Sequence, residues 1–216
     1  MDVMHLESCP LCGENASPVS PAGPRSWCHC RRCELVFVPA CEHVTSEQAR
    51  ARYLQHHNAT DDRGYVAMLQ APIALLRQHA PQAKRLLDYG CGPTPVLVTL
   101  LQGEGLDASG YDPLFAADTP LSPPFDAVVC IETFEHFTNP RRELERLRGL
   151  LRPGGCLAVS TLFHQGPENI AGWWYARDAT HVALYSPATL DWICAALGWT
   201  LLHRDERNLA VLRRTG

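Results

Sequence analysis

The sequence predicts an α/β protein in which a doubly wound, mostly parallel sheet follows a small cysteine-rich unit. Three observations carry that reading. From Lys84 onward, short apolar runs alternate with stretches of helical spacing. A strand, a glycine turn and a helix meet at Leu86-Leu87-Asp88-Tyr89-Gly90-Cys91-Gly92. Six of the ten cysteines, at positions 9, 12, 28, 30, 33 and 41, fall in the first fifth of the chain.

The 216 residues fit one ordinary domain with a small appendage, and a hydrophobic content of 46% is enough for a real core. The net charge of −4 argues against coating nucleic acid by bulk electrostatics. No apolar run approaches the length of a membrane span. The start, Met1 to Glu7, lacks both the basic residues and the apolar stretch of a signal peptide, so a cytoplasmic protein is expected.

Residues 1–42 contain two C-x-x-C knuckles, Cys9-Pro10-Leu11-Cys12 and Cys30-Arg31-Arg32-Cys33, with the strand-like Leu35–Val38 beside them. In a reducing compartment such clustering favours metal over disulfides. Two knuckles bring four thiolates to one ion, so Cys9, Cys12, Cys30 and Cys33 are expected to hold a structural zinc as a zinc ribbon. Cys28 could take the place of Cys30. A segment this small buries little apolar surface, so the metal would supply its folding energy. Cys91, Cys130, Cys156 and Cys194 lie among apolar or glycine neighbours and read as small buried hydrophobes.

Residues 43–80 read as a helical linker or cover. Ser46 caps a helix running to about His56, a turn follows over Asn58–Gly64, and a second helix runs from Tyr65 to about His79 with Met68, Leu69, Ile73, Leu75 and Leu76 in phase. In residues 81–216, strands are expected at 84–89, 106–111, 126–131 and 156–161, with helices at 95–103 and 140–151 between them. Ser186-Pro187 starts another helix to about Leu197, and Trp199–His203 with Asn208–Arg213 form a closing antiparallel hairpin.

Gly90 and Gly92 allow backbone amides to approach a ligand at a helix N-terminus, and Asp112 ends the next strand where a carboxylate accepts from ribose hydroxyls. Leu-Asp-Tyr-Gly-Cys-Gly resembles the first motif of class I S-adenosylmethionine-dependent methyltransferases. Phe125–Cys130 resembles their fourth strand, Glu132–Phe137 the segment after it, and Leu150–Leu157 the turn into the fifth, in order over residues 84–213. The resemblance implies a Rossmann-like, seven-strand-type sheet and S-adenosylmethionine as cofactor. It implies that Asp88, Gly90 and Gly92 contact the methionine end and Asp112 the ribose, with Tyr89, Cys91, Tyr111 and Ile131 lining the same site. The chain departs from the family in two places. Thr94 stands where a third glycine is usual, and is expected to cap the next helix with Pro95 at its first position. Only Pro113–Pro124 separates Asp112 from the fourth strand, so the third strand is expected to be missing or abbreviated.

Glu132, Glu135 and His136 fall at i, i+3 and i+4 and, if helical, point one way; His181 could complete an open site for a second divalent metal. The arrangement is similar to that of small-RNA ribose 2′-O-methyltransferases and of O-methyltransferases in ubiquinone synthesis, in which a divalent ion binds the acceptor hydroxyls. The other readings are His136 or His181 as a general base, or His136 packed beside the cofactor. Trp173, Trp174, Tyr175 and Tyr185 flank His181 in a long connection; such aromatics suit a flat or sugar-like acceptor, or close the core. Tyr53, His57, Asn58 and Tyr65 are placed to cover the cofactor.

The expected activity is methyl transfer from S-adenosylmethionine to a small-molecule acceptor. An RNA methyltransferase, favoured by Arg31 and Arg32 on the second knuckle, is one alternative, and a non-catalytic cofactor-binding module is another.

Overall fold

The structure, a computed structural model, describes residues 6–19, 25–55 and 59–216. Strands β1 (Glu7–Ser8), β2 (Asn15–Pro18), β3 (Cys28–His29) and β4 (Val36–Phe37) form an antiparallel N-terminal sheet. Helices α1 (Ser46–Tyr53) and α2 (Arg63–His79) follow. Then come β5 (Arg85–Tyr89), α3 (Val96–Gly103), β6 (Asp107–Tyr111), β7 (Phe125–Ile131), α4 (Pro140–Leu150) and β8 (Leu151–Ser160). The chain closes with β9 (Ala183–Leu184), α5 (Pro187–Leu197), β10 (Trp199–Arg204) and β11 (Leu209–Arg214).

The large sheet has the order β10-β11-β8-β7-β5-β6. Strands β6, β5, β7 and β8 run parallel, and β11 and β10 add antiparallel at the far edge. Among the described residues nothing pairs beyond β6, so the edge strand that the short Pro113–Pro124 connection left no room for is missing. Side-chain alternation splits the core. Leu86, Ala127, Val129 and Ala158 face α2 and α3, while Leu87, Val128, Leu157 and Val159 face α4 and α5.

Several boundaries differ from the sequence expectation for local reasons. Thr45, not Ser46, caps α1: its hydroxyl accepts from Gln48 N, and the Gln48 side chain accepts from Thr45 N in return. Helix α1 ends at Tyr53, short of the expected His56, with Leu54 N closing its last turn on Arg50 O. His56 itself, the covering roles of His57 and Asn58, and the start of the chain over residues 1–5 lie outside the described residues. Helix α2 starts two residues before Tyr65, because Asp62 accepts from Gly64 N and Tyr65 N. Thr94 does not cap α3. The proline on each side holds the chain outside helical geometry through Pro95, and α3 begins at Val96 without a side-chain cap. Strand β8 starts at Leu151, five residues earlier than expected, with a register shift opposite Phe125/Ala127 where Asp126 binds Arg152. Ser186 caps α5 as expected.

Strand β9 has no counterpart in the sequence reading. It pairs with β4, so the sheet begun by the cysteine-rich unit ends on residues from the connection after β8. Cys9, Leu11, Leu35 and Phe37 share one core with Val128, Phe134, Leu144 and Leu190. Among the described residues no helix is long and apolar enough to cross a membrane.

Candidate active site

The carboxyl ends of β5, β6 and β7 converge on one edge, the usual ligand-binding edge of an open parallel sheet. Gly90 (φ 92°) and Gly92 (φ 65°) turn the chain in the left-handed region. At Gly90 no other residue fits, because an added Cβ would lie 2.4 Å from Thr133 Oγ1. The turn is tied to β6: Gly90 N and Cys91 N donate to Tyr111 O, and Gly92 N donates to Asp112 Oδ2 at 3.1 Å. Asp112 Oδ1 accepts from Leu114 N and Phe115 N, which fixes the carboxylate at the strand end. Asp88 is buried beside it, and desolvation, reinforced by the Asp112 charge, pushes its carboxyl up to about 7.

Of the other expected cofactor residues, Cys91 packs against Gly110, and Ile131 ends β7 on the α2/α3 face. The side chains of Tyr89 and Tyr111 point away from the turn. Tyr89 OH donates to Glu143 on α4, and Arg146 stacks 4.5 Å from the Tyr111 ring. Only their backbones face the site, because alternation along a strand sends neighbours of Asp88 and Asp112 to the opposite face. Thr133, which wedges against Gly90 and donates to Ile131 O, carried no signal in the sequence.

The Glu132–His136 stretch is not an α-helix. Glu132 is left-handed (φ 47°), and only Phe134–His136 form a 3₁₀ turn. Glu132, Glu135 and His136 therefore do not share one helical face. Glu135, His136 and His181 bring ligand-type atoms within 4.8 Å of one another, whereas Glu132 accepts a hydrogen bond from Tyr175 OH at 3.1 Å. Glu135 is fully buried; one oxygen accepts from Thr161, and the other, Oε1, has no hydrogen-bond partner among the described residues and lies 3.9 Å from His136 Nε2. His136 Nδ1 contacts Thr180 O (3.0 Å) and His181 Nδ1 contacts Tyr175 O (2.7 Å). A carbonyl can only accept, so each Nδ1 carries the proton and each Nε2 offers a lone pair.

Burial sets the charge state of this group. Desolvation, then repulsion from Glu135, raises Glu132 to about 8; desolvation raises Glu135 to about 7. Desolvation lowers His136, and desolvation with the His136 charge lowers His181 to about 4. Tyr53 lies edge-on to His136 at 5.1 Å. Tyr175 and Tyr185 are core residues, and Trp174 is 65% exposed.

In the N-terminal sheet, the sulfurs of Cys9, Cys12, Cys30 and Cys33 gather, with Cys9–Cys33 at 3.5 Å and Cys12–Cys30 at 3.3 Å. The knuckles are alike: Gly13 N donates to Cys9 O and Glu34 N to Cys30 O, with both donors left-handed. Cys28 points elsewhere, from β3. Zinc–sulfur bonds of about 2.3 Å in a tetrahedron separate the sulfurs by roughly 3.8 Å, so the four thiols fit a closed zinc site. Cys91, Cys130 and Cys156 are buried, and Arg32 is ion-paired with Glu14.

An open parallel sheet with a glycine turn under a strand-end aspartate, closed by an antiparallel hairpin, defines a class I methyltransferase. The chain belongs to the methyltransferase-domain family, whose model matches residues 54–204. No curated protein matches it by sequence. Among solved structures, it is 16% identical to the Burkholderia thailandensis 1,6-didemethyltoxoflavin-N1-methyltransferase bound to 1,6-didemethyltoxoflavin and S-adenosylhomocysteine (92% of this chain and 99% of that one covered; TM-score 0.57). It is 16% identical to DesVI of Streptomyces venezuelae (81% and 100% covered; TM-score 0.53). It is 18% identical to the sugar N-methyltransferase KedS8 from Streptoalloteichus (78% and 93% covered; TM-score 0.53). These likenesses show the fold.

Proposed function

We propose that the chain transfers a methyl group from S-adenosylmethionine to a small-molecule acceptor, with residues 1–42 as a zinc ribbon, 43–80 as a cover and 81–216 as the catalytic domain. The observation that carries the reading is the Gly90–Gly92 turn, held against β6 by Asp112 at the ligand edge of the sheet. The fold's small-molecule methyltransferases, including one solved with S-adenosylhomocysteine, support it. Bound cofactor supplies an activated methyl on sulfur. Asp88 would face the ammonium of its methionine end, the amides of Gly90–Gly92 would approach it closely, and Asp112 would accept from the ribose. Glu132, His136 and His181 line the acceptor side, where a neutral imidazole can take a proton from the attacking O, N or C centre.

Calorimetry with S-adenosylhomocysteine tests the reading; absence of binding at millimolar ligand would sink it. The Asp88 carboxyl, raised to about 7, also fixes the sign of a pH effect. A ligand ammonium favours the ionised form, so binding releases a proton and affinity falls as pH drops through about 7. Buffers of different ionisation enthalpy would report that proton, and Asp88→Asn should abolish its release.

A divalent ion on the acceptor side is a second reading, favoured by the unpartnered Glu135 Oε1 and the two free imidazole lone pairs. Backbone carbonyls orient both rings, as hydrogen bonds commonly orient ligating histidines. Such an ion would supply Lewis acidity to an acceptor hydroxyl. Mn²⁺ is expected to raise the melting temperature of the wild type and not of His136→Ala or His181→Ala; equal shifts in all three would remove it.

A further inference from the structure

We propose that Arg25, from the cysteine-rich unit, is a positioning residue for the acceptor-side histidines: it pins the Asp178–His181 turn, whose Thr180 carbonyl orients His136 and whose last residue is His181. The inference rests on reading that edge as the methyl-acceptor side.

Arg25 Nη1 donates to Asp178 O at 2.8 Å and to His181 O at 3.0 Å. The same turn is closed by His181 N donating to Asp178 O, and its Thr180 O is the acceptor for His136 Nδ1. One guanidinium nitrogen therefore spans both ends of a turn that orients His136 directly and carries His181. The Asp178 carboxylate, which accepts from Thr180 N and Oγ1, is held in turn by Arg52 at 2.9 Å. Val38 N donates to Val182 O, and Val182 N donates to Glu135 O, so the next peptide is fixed between the N-terminal sheet and the third member of the group.

The cost of placing Arg25 here argues that the position has a use. The guanidinium is half-buried, its Nη2 is buried with no partner among the described residues, and a hydrophobic side chain would avoid both penalties. What a hydrophobic residue cannot do is donate to two carbonyls at once. The Trp27 ring, 5.3 Å away, and the charges of Glu42 and Asp178 keep the guanidinium in place. Arg25 sits outside the reacting group, so its effect is on geometry.

The test uses the full zinc-replete chain and the ¹⁵N resonances of the imidazoles, which distinguish the two tautomers. In the wild type both His136 and His181 are expected as the Nδ1–H form. In Arg25→Ala, the Nδ1 resonance of His136, whose acceptor Thr180 O lies in the pinned turn, should move toward the unprotonated position, with a smaller shift at His181, whose acceptor Tyr175 O lies outside it. Arg25→Lys, whose ammonium can also donate to two carbonyls, should return both toward wild type. S-adenosylhomocysteine affinity should stay within about twofold, because the glycine turn is a separate site. Arg25→Met, which keeps the apolar stem and removes every donor, carries the test if the alanine variant does not fold. Wild-type histidine spectra in a folded Arg25→Ala or Arg25→Met would overturn the proposal. So would a Lys variant no better than alanine, or cofactor affinity falling together with the tautomer change. A wild type that binds no S-adenosylhomocysteine yet shows the tautomer shifts would defeat the methyl-transfer reading and leave the geometric linkage standing.

Discussion

Gly90→Ala is expected to weaken S-adenosylhomocysteine binding by roughly 100-fold, corresponding to about 3 kcal/mol of strain and displacement at the turn. Two penalties combine. The residue is left-handed at φ 92°, a conformation that costs an L-residue about 1–2 kcal/mol. The new methyl would also meet Thr133 at 2.4 Å from Oγ1 and 2.5 Å from Cγ2, and Thr133 is buried with its hydroxyl bonded to Ile131 O. Something must shift, and the pieces able to shift are the turn itself and the start of the Glu132–His136 segment. Gly92→Ala supplies the internal control. Gly92 is also left-handed, at φ 65°, but an added Cβ meets nothing within 4 Å. It should lose only the backbone part, about five- to thirtyfold. Calorimetry on both variants checks the order; equal losses would show that the Thr133 contact is not what makes the position exclusive to glycine.

Cys33→Ser is expected to remove bound zinc and lower the melting temperature by roughly 10–20 °C. A four-thiolate zinc site contributes on the order of 10 kcal/mol to folding, and losing half of that produces a shift of this size in a chain of this length. The β4–β9 pairing makes the loss larger than for an independent ribbon, because the N-terminal sheet and the catalytic sheet share one core. Cys28→Ser should retain the metal, since Cys28 stands outside the cluster. Zinc content by colorimetric chelation and a thermal melt for each variant decide the matter. An unchanged melting temperature in Cys33→Ser, or zinc loss in Cys28→Ser, would contradict the assignment.

The glycine turn, Asp112 and the paired C-x-x-C knuckles were legible because each is a local device. A turn that needs φ > 0, a strand end that needs an acceptor and a thiolate pair that needs one tight bend all confine their residues within a few positions of one another. The apolar alternation that places strands β5, β6 and β7 is local in the same sense, and so is the short 113–124 connection that removes the edge strand. Capping was legible only in part: Ser186 starts α5, but at α3 the Pro93–Pro95 pair overrides the polar side chain between them.

The grouping of Glu135, His136 and His181 needed the fold. Glu132, Glu135 and His136 look like one helical face at their sequence spacing, yet the left-handed backbone of Glu132 sends its carboxylate to Tyr175 while the other two meet His181. Nothing within a few residues of position 132 announces that conformation. Nor does any pattern connect Thr133 to Gly90, or Arg25 to a turn more than 150 residues later. By itself, then, the sequence determined the parallel strands, the glycine turn and the two C-x-x-C knuckles, with Cys28 left open against Cys30, because short-range sterics and hydrogen bonding specify them. The tertiary structure alone decided which charged groups face one another and that the ribbon sheet ends on β9. Those pairings depend on long-range packing and on which polar atoms burial leaves without a partner.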